Sequence, residues 1–272
     1  MTPAQHVQPA LASAQIHIRD ITGSDLRGAL ADGWDDFKDK RGDIIIIGFA
    51  YPVIGLMLAV LALGYSLLPV VFPLAAGISI LGPAVAAGFY ELARRRERGL
   101  DSSWRHFFDV FSGPSFVPLV TLTVFLAVLF LLWLGAAWTI YQMTLGSLDP
   151  QGIGSFMSLL FTTPEGWTMI VGGNLVGLAF AALVLTVSAM SFPMLVDRPV
   201  DVGTAVATSV RAVAHNPVNM LKWGLIVAVL LLLGSIPVFI GLAVVLPWLG
   251  YATWHLYTRV VEIEGEPRRP AA

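Results

Sequence analysis

The chain has 272 residues, of which 56% are hydrophobic and 12% are charged, and its formal net charge is −2. A soluble domain carries about 25% charged residues, so this composition, with a mean hydropathy of +0.76, excludes an ordinary soluble protein and predicts an integral membrane protein. The slightly negative net charge argues against a nucleic-acid partner. Because cysteine is absent, disulfides, thiolate metal sites and cysteine nucleophiles are also excluded.

Six segments of the chain are apolar over the length of about 20 residues that a membrane-spanning helix needs. They are approximately Ile44–Leu68, Val70–Leu92, Phe116–Tyr141, Met169–Val196, Val218–Ser235 and Val238–Tyr257. We therefore predict an all-α fold, a polytopic membrane bundle of six transmembrane helices arranged as three hairpins. Residues 21–264 would form this single membrane domain, and residues 1–20 and 265–272 are predicted to be disordered tails.

The last two spans are separated on the basis of length. The run Trp223–Leu256 is almost continuously apolar. As a single helix it would be about 50 Å long, whereas the hydrocarbon core of a bilayer is about 30 Å thick. The sequence LGSIPVF at Leu233–Phe239 supplies glycine and proline for a turn. Two helices joined by this turn fit the bilayer better than one.

The positions of the basic residues predict the orientation of the bundle. With six spans, both termini and two loops lie on one side of the membrane, and all 16 lysines and arginines fall on that side. The opposite side carries Asp149 and Glu165 and no basic residue. The positive-inside rule places the basic side in the cytoplasm, so both termini are expected to be cytoplasmic.

A short amphipathic segment precedes each predicted hairpin. In DLRGALADGWDDF, DSSWRHFFDVF and DVGTAVATSVRAV the apolar residues recur at helical spacing. A helix breaker follows each segment: Gly42, then Gly113-Pro114, then Asn216-Pro217. These similarities predict three repeats, at about 24–99, 100–199 and 200–264, each an amphipathic helix on the cytoplasmic face followed by a membrane hairpin.

A basic cluster follows the second predicted span. Its members are Arg94, Arg95, Arg96, Arg98 and Arg105. We interpret the cluster first as a determinant of topology, and binding of anionic lipid headgroups is a compatible second role. The lipid bilayer is therefore the first expected partner, and other inner-membrane proteins are the second.

Two polar residues of the spans are candidates for function. Glu91 lies beside the basic cluster, where we favour an ion pair with Arg94 or Arg95 over a role as a gating residue. Asn174 lies inside the fourth span, within GGNLVG. There we favour helix packing with an interhelical hydrogen bond, and contact with a transported substrate is the alternative.

No catalytic residue, cofactor site or metal site is predicted. The histidines nearest the spans, His106, His215 and His255, all lie near the cytoplasmic boundary, and a metal site that joins them is a minor alternative. Haem or copper in a helix bundle needs histidine ligands that face one another inside the helices. The motifs HExxH, GxSxG and the P-loop are absent.

Three stretches carry a resemblance to a known family. They are GWDDFKDKRGDIIIIGFAYPVIG, LGPAVAAGFYELARRRERG and SFPMLVDRPVDVGTAVATSVRAVAHNPVNMLKWG. Over about residues 20 to 262 the chain resembles a domain-of-unknown-function family of proteobacterial six-span integral inner-membrane proteins. Members have been labelled as relatives of cytochrome c oxidase subunit one, a label that this sequence does not support because it lacks mid-span histidines. The resemblance implies a location in the bacterial inner membrane and carries over no catalytic residues.

Three functions are compatible with these patterns. A non-enzymatic scaffold or accessory subunit of a membrane complex is favoured by the lack of charges within the spans and by the many small residues on helix faces. A transporter or channel for a small neutral or lipidic molecule is favoured by Asn174 and by prolines within the spans. A membrane-embedded enzyme that modifies lipids would use His106, His215 or Glu91 at the cytoplasmic face.

Overall fold

A computed structural model describes residues 16–48, 53, 80, 82–150, 152–237 and 240–264. The two strands are β1 (Ile16–Ile18) and β2 (Val261–Ile263). The α-helices are α1 (Gly23–Gly48), α2 (Gly82–Glu97), α3 (Phe116–Met143), α4 (Gly152–Thr162), α5 (Pro164–Ser188), α6 (Ser191–Asp197), α7 (Val202–His215), α8 (Pro217–Ser235) and α9 (Leu242–Val260). Two 3-10 helices lie at Trp104–Phe111 and Leu145–Leu148. The mainly helical architecture agrees with the prediction from sequence.

Three helices of the described residues are long and apolar enough to cross a membrane. They are α3, the continuous stretch Pro164–Asp197 that contains α5 and α6, and α8. They correspond to the third, fourth and fifth predicted spans. The sixth predicted span is the helix α9, which is not among these three. The first span and most of the second lie outside the described residues, so the number of six spans stays a prediction.

The fourth predicted span, Met169–Val196, is interrupted. Helix α5 ends at Ser188, and α6 begins at Ser191 after a short turn. Pro193 explains the interruption, because proline has no N–H for the carbonyl four residues earlier and its ring clashes with that carbonyl. From α7, the hydroxyl oxygen of Ser209 accepts a hydrogen bond from the Met190 N–H (3.1 Å), and its hydroxyl donates to the carbonyl of Thr186 (2.8 Å).

Local sequence signals set several helix ends. The Asp201 side chain caps α7 by accepting a hydrogen bond from the Thr204 N–H at 2.9 Å. The hydroxyl of Thr163 caps α5 in the same way, at 3.0 Å from the Gly166 nitrogen. Helix α7 ends before Asn216-Pro217, as the breaker predicts. Gly42, in contrast, does not end a helix, because α1 runs through it to Gly48.

Helices α1 and α9 form a long antiparallel pair. Gly33 of α1 meets the backbone of Ala252, and Gly28 lies beside the side chain of Arg259. Towards the other end of the pair, the Trp34 and Trp248 rings are 5.0 Å apart. The first amphipathic segment therefore buries its apolar face against another helix of the chain.

The two ends of the described chain also meet. Strand β1 pairs antiparallel with β2, with Ile16 opposite Ile263 and Ile18 opposite Val261. The side chain of Asn216 holds the segment that follows β1, accepting from the Ile21 N–H at 3.0 Å. Residues 16–20, which the sequence analysis assigned to a disordered tail, are thus structured, because a partner strand distant in sequence satisfies their backbone. Residues 1–15 and 265–272 lie outside the described residues.

Candidate functional site

Buried polar side chains of α1, α6 and α9, together with the half-buried Arg96 of α2, converge on the α1–α9 pair. We call this set the polar core, and its members are Asp36, Arg96, Asp197, His255 and Tyr257. A buried charge is costly unless it is paired and hydrogen-bonded. The contacts within the polar core therefore decide both its stability and what chemistry it can perform.

Asp36 links three helices. Its Oδ2 lies 2.9 Å from Nε2 of His255 on α9, and its Oδ1 lies 3.0 Å from Nε of Arg96 on α2. The side chains of Asp36 and His255 are only 6% and 4% exposed, whereas Arg96 is 35% exposed. Burial lowers the pKa of Arg96, but the hydrogen bond to Asp39 and the charges of Asp36 and Asp39 outweigh it and raise that pKa. Arg96 therefore remains a cation beside the buried carboxylate.

Asp197 makes the corresponding link at the end of α6. Its Oδ2 accepts a hydrogen bond from the Tyr257 hydroxyl at 3.1 Å, and its Oδ1 accepts from Arg98 at 3.3 Å. The neighbouring Arg198 also contacts it, with Nε 3.1 Å from Oδ2. The carboxylate is buried and faces two guanidinium groups, so its charge is compensated. It connects α6 to α9 and to the residue that follows α2.

Further polar contacts extend the network along α9 and α2. Trp254 donates from Nε1 to Glu97 at 2.8 Å. Arg259 pairs with Asp32 of α1 and also donates to the carbonyl of His255 at 2.9 Å. Each of these bonds joins α9 to another helix or closes its last turn. The C-terminal half of α9 is therefore held on several sides by polar as well as apolar contacts.

The basic cluster predicted after the second span is largely paired with carboxylates. Arg94 and Arg95 contact Glu91, at 2.6 and 3.8 Å, in the i, i+3 and i, i+4 geometry of the favoured interpretation. Arg95 also contacts Asp109 at 3.3 Å. Arg96 contacts Asp36 and Arg98 contacts Asp197, as described above. Arg105 is exposed, and no described residue forms an ion pair with it.

Asn174 does not join the polar core. It lies on the exposed surface of α5, and its Nδ2 donates to the carbonyl of Ile170, 2.7 Å away, on the same helix. Within GGNLVG, Gly177 approaches the ring of Trp133 on α3, whereas Gly173 has no neighbour close to where a Cβ would be. Among the described residues the packing role of this motif thus belongs to Gly177.

The three histidines near the spans lie with three different sets of aspartates. His106 contacts Asp109 and Asp101 at 2.6 and 3.2 Å. His215 contacts Asp20 at 3.0 Å, and His255 contacts Asp36. Within the described residues no group of three or more histidine, cysteine, aspartate or glutamate side chains is arranged to hold a metal ion. The structure does not bring the three histidines together.

The described contacts of the polar core join helices to one another. A histidine–aspartate pair can activate a side-chain nucleophile only when a hydroxyl or thiol of the protein lies within hydrogen-bond reach of the imidazole. In the described part of the chain, the imidazole of His255 hydrogen-bonds to Asp36 and to no hydroxyl. The cations and carboxylates around it neutralise one another, as in a structural ion-pair network.

The burial of Asp36 and Asp197 could not be predicted from the sequence patterns. One signal was present for Asp36, because it lies three residues after Gly33, on the side of α1 that meets α9. Asp197 follows the apolar run FPMLV directly, which places a carboxylate at the end of a buried helix. Their partners are distant in sequence, so spacing alone does not reveal the pairs.

The fold and its apolar helices define an integral membrane protein. Residues 71–197 match the model of a family described as a predicted integral membrane protein (DUF2189). The resemblance to a domain-of-unknown-function family of membrane proteins is thereby confirmed over that range, which includes α2, α3, α5 and α6. No curated protein and no solved structure matches the chain.

Proposed function

We propose that the chain is a non-enzymatic scaffold or an accessory subunit of a complex in the bacterial inner membrane, with its basic side and both termini in the cytoplasm. The observation that carries the proposal is the pairing within the polar core. Asp36 contacts His255 and Arg96, while Asp197 contacts Tyr257, so both carboxylates are engaged between helices. Polar groups used in this way stabilise a rigid support.

The apolar helices offer large surfaces to other membrane components. In α3 and α8, 28% and 17% of the most apolar window is buried within the chain. Most of each window is therefore available to lipid or to other membrane helices. A bundle with a fixed internal network and wide apolar outer faces suits a subunit that packs beside a partner.

The position of Asn174 is evidence for a partner helix that packs against the surface of α5. Its amide nitrogen is bonded to Ile170, but its carboxamide oxygen accepts no hydrogen bond from the described residues. A polar group inside a membrane is more stable when a neighbouring helix hydrogen-bonds to it. This position gives less support to the transport alternative, which needs polar groups that line a path between helices.

Affinity purification of the tagged chain from its native membranes, followed by quantitative mass spectrometry, tests the proposal. We expect a membrane partner at a fixed ratio to the chain, and we expect Asn174→Leu to lower that ratio. The matched control is Leu183→Ala, which lies nine residues along α5 and hence on the opposite side of the helix. Leu183 is also exposed, and its substitution should leave the ratio unchanged.

Two results would count against this account, and they are distinguishable. A chain that purifies alone in several mild detergents would refute the role as a subunit. A partner that is retained equally by both variants would preserve that role and refute the contact through Asn174.

A further inference from the structure

The 3-10 helix at Trp104–Phe111 has a buried side and an exposed side. Phe107 and Val110 are each 5% exposed, whereas Phe108 and Phe111 are 55% and 45% exposed. A 3-10 helix has three residues per turn, so Phe107 and Val110 share one side, and Arg105, Phe108 and Phe111 share another. The α-helical spacing in the sequence had placed Phe107 and Phe108 on the same face.

The buried side fixes this helix to α2. The ring of Phe107 lies 5.0 Å from that of Phe89, at an interplanar angle of 74°. A Cβ on Gly88 would lie 2.4 Å from the Phe107 ring, so only a glycine allows this approach. Asp109 further connects the 3-10 helix to Arg95 of α2. The orientation of the exposed side is thus determined by packing.

The exposed side forms a ridge of two aromatic rings and one cation. We call it the aromatic ridge, and it consists of Arg105, Phe108 and Phe111. Leaving apolar surface in water costs about 25 cal/mol per Å². Aromatic rings beside an arginine are typical of segments that lie at the membrane interface, where the rings enter the acyl region and the cation stays near the headgroups.

The aromatic ridge lies close along the chain to the exposed start of α3. Phe111 precedes the first residue of α3, Phe116, by five residues, so the two are at most about 18 Å apart. Phe116 and Val117 are themselves 42% and 69% exposed. With 28 residues, α3 is about 42 Å long, longer than the hydrocarbon core of about 30 Å. Its ends therefore reach the headgroup region, where the aromatic ridge begins.

We propose that the aromatic ridge is a lipid-binding surface that anchors this end of α3 to the bilayer interface. Phe108 and Phe111 insert below the lipid phosphates, and the Arg105 guanidinium binds the phosphodiester of a phospholipid headgroup. The other arginines of the basic cluster are engaged by carboxylates of the protein. Arg105 is therefore the cation of the basic cluster that contacts lipid.

Site-directed spin labelling of the full chain tests this proposal, since the protein has no native cysteine. A nitroxide is attached at Phe108→Cys or Phe111→Cys, and at Leu100→Cys as the control. Leu100 is also exposed, at 52%, but it lies in the turn after α2. The protein is reconstituted in vesicles of phosphatidylcholine and phosphatidylglycerol. Collision of each label with oxygen, which concentrates in lipid, is compared with collision with a water-soluble nickel chelate.

We expect oxygen to dominate at positions 108 and 111 and the nickel chelate to dominate at position 100. Adding Arg105→Gln to the Phe108→Cys variant should lower the ratio of oxygen to nickel collisions several-fold, and an unchanged ratio would remove Arg105 from the proposal. Nickel-dominated collisions at 108 and 111 would refute lipid insertion. Labels at these positions that neither reagent reaches would indicate a protein contact instead and would also refute it. Each variant must melt at the wild-type temperature in detergent before it is compared.

Discussion

Gly33 sets the distance between α1 and α9. A Cβ at this position would lie 2.5 Å from the backbone nitrogen of Ala252 and 2.6 Å from its Cα. Backbone atoms cannot rotate away as a side chain can, so Gly33→Ala must push the two helices apart. We expect a loss of about 1–3 kcal/mol, as for other overpacked sites. Thermal unfolding in one detergent measures it as a lower Tm.

The control for this prediction lies on the same helix. Gly23, the first residue of α1, has no neighbour within 4 Å of where its Cβ would be. Gly23→Ala should therefore leave the Tm close to that of the wild type. Equal Tm values for Gly33→Ala and Gly23→Ala would contradict the close approach of α1 and α9.

Asp201 makes the start of α7 sensitive to pH. The hydroxyl of Thr204, and then its backbone N–H, donate to the carboxylate and lower the pKa of Asp201. A carboxyl whose pKa is lower in the folded state contributes stability above its unfolded pKa, and the contribution is lost as the pH falls through the folded pKa. The ordinary pKa of aspartate is about 3.9, so the loss should occur below about pH 4.

Two substitutions separate the cap from its charge. Asp201→Ala removes the cap and should cost about 1 kcal/mol at neutral pH. Asp201→Asn keeps an oxygen that can accept the Thr204 N–H but carries no charge. The Tm difference between wild type and Asp201→Asn should shrink as the pH is lowered from neutral to about 3. A difference that is constant over this range would show that the charge of Asp201 contributes nothing.

At the scale of elements, the contact between Asp36 and His255 joins α1 to α9. Removing one member of a buried charged pair leaves the other without compensation and costs about 3–5 kcal/mol in fully buried cases. Arg96 also contacts Asp36 and is 35% exposed, so water can partly replace the lost carboxylate. We therefore expect Asp36→Leu to lie at or below the lower end of that range.

A double-mutant cycle isolates the pair itself. Asp36→Leu, His255→Leu and the double variant are unfolded under the same conditions. We expect the double variant to be more stable than the sum of the single losses predicts, with a coupling of about 0.5–3 kcal/mol. Strict additivity would show that the 2.9 Å contact does not couple the two helices. Leu30→Ala with His255→Leu provides a control cycle, since the side chain of Leu30 also packs into the core of the protein.

Element boundaries were predictable where the signal is local. Asn216-Pro217 ends α7, and Asp201 begins it, because proline and a capping carboxylate act on their own helix. The prediction that Gly42 ends the first helix was wrong. A single glycine destabilises a helix by only about 1 kcal/mol and does not prevent the helix from continuing. The 3-10 geometry of Trp104–Phe111 also could not be predicted from the spacing of its residues. The aromatic residues of this segment are separated by both three and four positions, so the spacing fits a 3-10 helix and an α-helix alike.

At the scale of the whole molecule, the pairing of distant segments could not be predicted from the sequence. Asp36 and His255 are 219 residues apart, and β1 pairs with β2 across almost the whole chain. Periodicity shows which face of α1 is apolar but not which helix covers that face. The candidate site was the hardest part to predict. In the sequence, the carboxylates of the polar core resemble exposed charges, because their distant partners are not known. The apolar stretches of α3, α5 and α8 were predictable because length and composition alone define them.

The topology prediction concerns the whole chain and can be tested with single cysteines. Leu100→Cys and Leu148→Cys are a matched pair, since both leucines are exposed, at 52% and 41%, and they lie on either side of α3. If the basic side is cytoplasmic, a membrane-impermeant maleimide added to intact cells should label position 148 and should label position 100 only after lysis. The reverse pattern would invert the proposed orientation.

The same reagent decides whether α9 crosses the membrane. Ile236 follows α8, and Glu264 follows β2. If both α8 and α9 span, Ile236→Cys is labelled from outside and Glu264→Cys is not. If α9 does not span, both positions lie on the same side of the membrane and are labelled together. The second result would contradict the contact between Tyr257 and Asp197, because Asp197 precedes α8 and would lie across the membrane from α9. An even number of membrane crossings between Asp197 and Tyr257 is therefore required if the two side chains are to meet.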